Sequence, residues 1–171
     1  TDNALYLDGK NSFLDVSAAD GSALLAGKEA ITISYDAKPE KASASWTFFA
    51  APNKDTQKYK TEHYLGMLHT SSNLLVERYN NTTDRPGNNL ESAVSGEWTH
   101  IDLVVSENDT TLYINGEKKQ SKESTYKLSD ILGAGGGILQ MGKGNWESGE
   151  YFGGWIDNYR IYDGILSEEA I

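Results

Sequence analysis

The last long stretch of the chain, Gly153 to Asp163, constrains the fold more than any other. It reads Gly-Gly-Trp-Ile-Asp-Asn-Tyr-Arg-Ile-Tyr-Asp, alternates apolar and polar residues, and is rich in β-formers. A strand this close to the C-terminus, in a chain with no amphipathic helix of useful length, must find its pairing partners far back in the sequence. Its inward-looking acid, Asp157, also needs a partner, and Leu7-Asp8-Gly9 near the other end is the candidate.

The preceding residues supply the other strands. Ala4 to Val16 reads as two short strands around the turn Asp8-Gly-Lys-Asn11. Ser17 to Lys28 is a small, polar loop with one helical turn at Ser22 to Leu25. Ile31 to Pro39 alternates cleanly, with Ile31, Ile33, Tyr35 and Ala37 on one face and Thr32, Ser34 and Asp36 on the other. Trp46 to Ala51 is a continuous apolar strand, and Pro52 to Glu62 is a long polar loop.

His63 to Leu68 and Leu74 to Tyr79 form a hairpin around Thr70-Ser-Ser-Asn73, and Asn80 to Val94 is polar and turn-rich, a long exposed loop. Trp98 to Ser106 is a strand with Ile101, Leu103 and Val105 on one face. Thr110 to Ile114 and Lys118 to Gln120 pair across Asn115-Gly116, the strongest hairpin signal in the chain. Tyr126 to Leu132 holds a short turn, and Ile138 to Gly142 is one more strand before the aromatic-bearing loop Asn145 to Tyr151. About ten to twelve strands separated by turns, without a repeat, predict an all-β fold: an antiparallel two-sheet sandwich or jelly roll.

Length and charge bound the function. The 171 residues make one domain with room for a sizeable core. The net charge of −10 argues against a nucleic-acid partner, which needs a basic surface, and suits a secreted protein and bound cations. With no cysteine, disulfides, thiolate metal sites and cysteine nucleophiles are excluded. No run approaches the ~18 apolar residues of a membrane span. The chain starts Thr-Asp-Asn and stops in a helix-like segment, so it reads as a single domain, 1–171, cut from a longer protein.

Several motifs, in order, resemble one family. They are Leu7-Asp-Gly9 with Phe13 to Val16, Ile31 to Pro39, Trp98-Thr-His-Ile101, Leu112-Tyr-Ile-Asn-Gly-Glu117, Met141-Gly142, and Gly154 to Tyr162 trailed by Leu166-Ser-Glu-Glu. The set resembles the laminin-G-like, concanavalin A-like jelly-roll domains of bacterial secreted proteins. That resemblance implies a non-catalytic module appended to glycoside hydrolases, tethered to a catalytic domain in the parent chain, extracellular and monomeric. Trp46-Thr-Phe-Phe-Ala-Ala-Pro52 and Glu77-Arg-Tyr-Asn80 look similar to modules beside arabinan- or fructan-active enzymes.

Two constellations follow. In such a fold the first and last strands are neighbours, which would bring Asp8 and Asp157 together around a structural Ca2+; related domains often hold one there. The alternative is that both acids cap turns and bind nothing. The second is a sugar site, in which aromatic faces take the apolar side of the ring and acids, Arg or Asn bond the hydroxyls. Its candidates are Asp36; Glu77, Arg78 and Tyr79 at the end of the hairpin; Arg85 in the following loop; Trp146, Glu147, Glu150 and Tyr151 before the last strand; and His63 and Tyr64 beside them. If Leu74 and Val76 face the core, Glu77 and Tyr79 share the outer face and Arg78 turns in; the other register exposes Arg78.

Catalysis is not expected. A glycosidase needs two carboxylates about 5 to 9.5 Å apart. Related sandwich-fold glucanases carry theirs as Glu-x-Asp-x-x-Glu, and the chain has no such run. His63, His69 and His100 have no metal spacing, and His100 beside Trp98 reads as a packed histidine. The leading function is a carbohydrate-binding module. A protein-binding or adhesion domain, or a structural spacer, is the alternative.

Overall fold

A computed structural model describes residues 3–16, 24–40, 45–52, 63–80, 89–133, 138–144 and 150–171. Among them twelve strands form two antiparallel six-stranded sheets, with one short helix. The first sheet runs β1 (Leu5–Asp8), β12 (Gly153–Asp163), β3 (Ile31–Pro39), β8 (Thr99–Val105), β9 (Asp109–Ile114), β10 (Glu117–Glu123). The second runs β2 (Leu14–Asp15), β11 (Ile138–Met141), β4 (Ser45–Ala51), β5 (His63–His69), β6 (Asn73–Asn80), β7 (Asn89–Ala93). The all-β sandwich expected of the alternating runs is the structure.

The inward faces meet in one core. Ile31, Ile33, Tyr35 and Ala37 of β3 and Ile101, Leu103 and Val105 of β8 pack toward Phe48, Leu65, Met67, Leu74 and Val76 of the second sheet. Aliphatic and aromatic burial of this kind supplies the main stabilising term, roughly 25 cal/mol per Å² of apolar surface removed from water. The core contains a polar network at Tyr35. The Tyr35 hydroxyl lies 2.8 Å from both Thr47 Oγ1 and His69 Nε2. Burial holds the His69 imidazole down to about 3, so it stays neutral.

Some elements depart from the sequence reading. The first sixteen residues do not fold back as a hairpin. β1 pairs with β12 while β2 pairs with β11, so the turn at 8–12 carries the chain from one sheet to the other. The stretch expected as loop from Asn80 to Val94 contains β7, an edge strand whose one large apolar residue, Leu90, is buried. A single apolar position gives no alternation to read. β10 extends well past the expected Gln120 as an exposed, charged edge, and lysines on an edge discourage pairing with other chains. The expected turn at 126–132 holds helix α1 (Leu128–Leu132), which buries Leu128, Ile131 and Leu132 against the core. The helical turn assigned to Ser22–Leu25 lies partly outside the described residues.

Candidate functional site

A sheet face turned away from the core is ordinarily polar. The outer face of the second sheet is not. On β5, Leu65 and Met67 point to the core, so Tyr64, Gly66 and Leu68 point out; on β6, Leu74 and Val76 point in, so Leu75, Glu77 and Tyr79 point out. The register sets Tyr64 opposite Tyr79 and Gly66 opposite Glu77. On β4 a bulge between Trp46 and Phe48 turns both Thr47 and Phe48 inward. That places Trp46 and Phe49 together on the outer face, although they are three residues apart.

The result is a packed aromatic ensemble. Trp46 meets Phe49 and Tyr64 edge-on, with centroids 5.4 and 5.9 Å away. Tyr64 lies 5.1 Å from Phe49 and 5.0 Å from Tyr79. Ile138 of β11 and Leu68 of β5 border it. Gly66 is what lets the Trp46 ring lie across β5: a Cβ at that position would stand 2.3 Å from Trp46 Cζ3.

Two acids are built into this face. Glu77 is only 7% exposed, and the Tyr64 hydroxyl donates to its Oε2. The Trp46 indole N–H donates to Glu150 Oε2, and the Trp46 backbone N–H to the Glu150 carbonyl, at 3.2 Å. Glu150 adopts left-handed backbone, φ 57°, a conformation costly for a residue with a Cβ. Tyr151 follows as an isolated bridge beside Trp46, 6.2 Å from Phe13, with Lys143 Nζ over both rings at 5.5 and 4.9 Å. Trp46, Phe49 and Tyr64 are themselves buried, 2%, 0% and 1% exposed, so the rings form a closed cluster that fixes the two carboxylates, with Tyr79 half-buried at its margin.

The structure therefore brings together Tyr64, Glu77, Tyr79, Glu150 and Tyr151 of the expected site and sets Arg78, His63 and Asp36 apart from them. Arg78 faces the opposite way. It is 1% exposed, and its guanidinium donates to the carbonyls of Ser106, Glu107, Asp109 and Tyr126, an anchor for the turn before β9. Burial lowers its pKa to about 10. His63 alternates onto the same side of β5 as Leu65 and Met67, away from Tyr64. Asp36 lies on the outer face of the first sheet, on the far side of the sandwich. Arg85, Trp146 and Glu147 lie outside the described residues.

Sequence reasoning missed Trp46 and Phe49 as part of this face. Their continuous apolar run reads as a strand buried on both sides, and a bulge leaves no trace in such a run.

The proposed metal ligands are also parted. β1 and β12 are neighbours as expected, yet the register sets Asp8 opposite Gly153, while Asp157 pairs with Asp36. Four residues of strand, roughly 13 Å, lie between the two acids. Asp8 Oδ1 accepts the N–H groups of Lys10, Asn11 and Ser12 and the Ser12 hydroxyl, which hold its carboxyl well below the usual range. It organises the crossover turn. The pair does not fit one shared ion, and among the described residues no group of three or more His, Asp or Glu gathers as a metal site.

A family model described as the concanavalin A-like lectin/glucanases superfamily matches residues 8–171. No curated protein sequence matches the chain. Several solved structures share the fold. One is domain 4 of AbnA, an extracellular GH43 arabinanase of Geobacillus stearothermophilus, in complex with arabinotriose: 21% identity, TM-score 0.71, covering 98% of this chain and 73% of that one. Another is the CBM40 of the Ruminococcus gnavus IT-sialidase bound to α2,3-sialyllactose, with 19% identity, TM-score 0.73 and coverage of 98% and 94%. The NanB sialidase of Streptococcus pneumoniae is similar over 97% of this chain but 26% of its own, at 18% identity and TM-score 0.72. At these identities the likeness establishes the fold.

Proposed function

The chain belongs to the concanavalin A-like lectin/glucanase superfamily, and from that premise we propose that it is a non-catalytic carbohydrate-binding module, binding through the outer face of its second sheet. The observation that carries the reading is the outer face of the second sheet, where Glu77 and the half-buried Tyr79 border a closed aromatic cluster of Trp46, Phe49 and Tyr64 that fixes their positions, on a face that should otherwise be polar. Aromatic faces take the apolar side of a sugar ring, and oriented carboxylates bond its hydroxyls in pairs. The sugar we propose is a neutral arabinan- or fructan-type chain, supported by the arabinotriose complex of one structural relative. The module would hold a catalytic domain of the same secreted parent protein on its polysaccharide, raising the local substrate concentration. No helix among the described residues is long and apolar enough to cross a membrane.

Isothermal titration with arabinotriose and linear arabinan tests the reading. Glu77→Gln and Tyr79→Ala should each weaken binding about tenfold, the loss of a single charged hydrogen bond or ring contact. Binding that survives both changes would remove the site. Arg85 and Trp146 would add a donor and a further ring to the same ligand, and Trp146→Ala belongs in the same series. We propose a structural calcium ion at Asp8 or at Asp157, and not between them, since the register parts the two acids. A rise in Tm with CaCl2, reversed by EDTA, should disappear in one of Asp8→Ala and Asp157→Ala; absence of any rise removes the ion.

A further inference from the structure

The outer face of the first sheet carries features the second sheet's site does not use. Trp98 and Trp155 are 46% and 36% exposed, an uncommon degree for so large an apolar ring. Both sit on the same row. Trp155 pairs with Lys38, and Trp98 precedes Thr99, which pairs with Ala37, so the two indoles flank the Lys38 position from either side of β3. Two strand spacings separate them, roughly 10 Å, the length of a disaccharide. The Trp155 ring is not loose: it packs 4.8 Å from Tyr6, and its indole N–H donates to Glu40 Oε1 at 3.2 Å.

The next row along the same face is polar and fixed. Asp157, Asp36 and His100 stand side by side on β12, β3 and β8. Asp36 Oδ1 lies 2.6 Å from His100 Nδ1, and its Oδ2 accepts the Asn158 side-chain amide at 2.7 Å. Asn158 reaches it from a bulge in the middle of β12, with left-handed backbone at φ 50°. Bulges and positive φ at a residue with a Cβ are costs that structures keep where a side chain must be aimed. Behind His100, Asp102 is 2% exposed, and its Oδ2, which has no hydrogen-bond partner, is 3.2 Å from Nε2. Asp36, Asp157, His100, Asn115, Trp98 and Thr99 line a depression of about 400 Å³.

We propose that this depression, together with Trp155 on the row beside it, is a second carbohydrate-binding site on the opposite face of the sandwich from the first, in which Trp98 and Trp155 are ring platforms and Asp36 and Asp157 accept sugar hydroxyls. The inference rests on the reading of the chain as a carbohydrate-binding module. Its ligand is a neutral glycan, because Glu40, Glu97, Asp36 and Asp157 surround the row while the facing lysine, Lys38, pairs with Glu97. An anionic sugar would meet net repulsion. With sites on both faces, one molecule can bridge two polysaccharide chains.

The test is an array of neutral oligosaccharides including arabinotriose, with α2,3-sialyllactose as the anionic counterpart, followed by titration calorimetry on the strongest neutral ligand. The wild type, Glu77→Gln, Trp98→Ala/Trp155→Phe and Asp36→Asn are compared, with Tm measured to confirm folding. Two sites per chain are expected. The indole variant should lose one of them, with affinity there reduced at least about tenfold, while Glu77→Gln retains it. A single site abolished by Glu77→Gln and untouched at Trp98 overturns this proposal and leaves the first reading standing. A single site abolished only at Trp98 keeps this proposal and removes the first. Preference for sialyllactose on the Trp98 face, or no binding anywhere on the array, overturns it.

Discussion

Replacing Arg78 separates anchoring from binding, because it sits in the strand between Glu77 and Tyr79 yet points the other way. In the native protein its guanidinium closes onto four main-chain carbonyls. Methionine fills a similar volume and offers no donor. The carbonyls of Asp109 and Glu107 retain other partners, the N–H groups of Ser106 and Leu128. Those of Ser106 and Tyr126 lose the bonds Arg78 gives them. At about 1–3 kcal/mol for each buried polar group left unpaired, less the relief of no longer burying a cation, Arg78→Met should cost about 3–4 kcal/mol. For a domain of this size that lowers Tm by about 10 °C. Arg78→Lys should fall between, since an ammonium cannot span the same fork of acceptors. Thermal and urea unfolding supply the numbers, and calorimetry at 15 °C supplies the control: the folded variant should bind glycan as the wild type does. A loss under about 1 kcal/mol would refute the anchoring argument, and lost binding in a folded protein would return Arg78 to the site.

Other outcomes follow from the same contacts. His69 is held neutral down to about 3 by burial, against an ordinary value of 6.5, so unfolding takes up a proton between those limits and acid favours the unfolded chain. Its contribution should fall by about 1.4 kcal/mol per pH unit through that window, and His69→Gln should flatten the measured slope between pH 6 and pH 4. The Tyr159 hydroxyl is buried without a hydrogen-bond partner, so Tyr159→Phe should leave stability unchanged or raise it by about 1 kcal/mol in urea unfolding. Gly66→Ala should displace Trp46, lowering both Tm and glycan affinity, since the new Cβ would stand 2.3 Å from the indole. Gly154→Ala should destabilise without touching the second sheet's face, because φ is 148° there and the Cβ would meet the Lys38 carbonyl at 2.3 Å.

What the sequence made legible was whatever repeats with period two. β3 and β8 announce their inward faces residue by residue, and the pairing of the chain's ends follows from having one long strand last. The placement of Glu77 and Tyr79 outside and Arg78 inside was one of two open registers, and Leu74 and Val76 in the core decide it. Bulges hid the rest. The irregularity in β4 moves Trp46 and Phe49 to one face, and the one after Asp157 breaks the alternation of β12 just where Asn158 is aimed at Asp36. His100 reads as packed core from its neighbours, yet parity with Ile101 turns it outward. Register, which no composition reveals, parted Asp8 from Asp157.

The position of β12 also governs when the domain can fold. It is the last of the described strands to be synthesised, but it lies inside the first sheet, between β1 and β3, and not at an edge. Until Asp163 is synthesised, β1 has nothing to pair with and β3 exposes an open ladder. Growth of the sheet from the N-terminus is therefore blocked, and folding waits for a loop closure spanning nearly the whole chain. Such high contact order places folding in the millisecond-to-second range. It also makes the nascent module dependent on protection from edge-to-edge association until its final strand arrives.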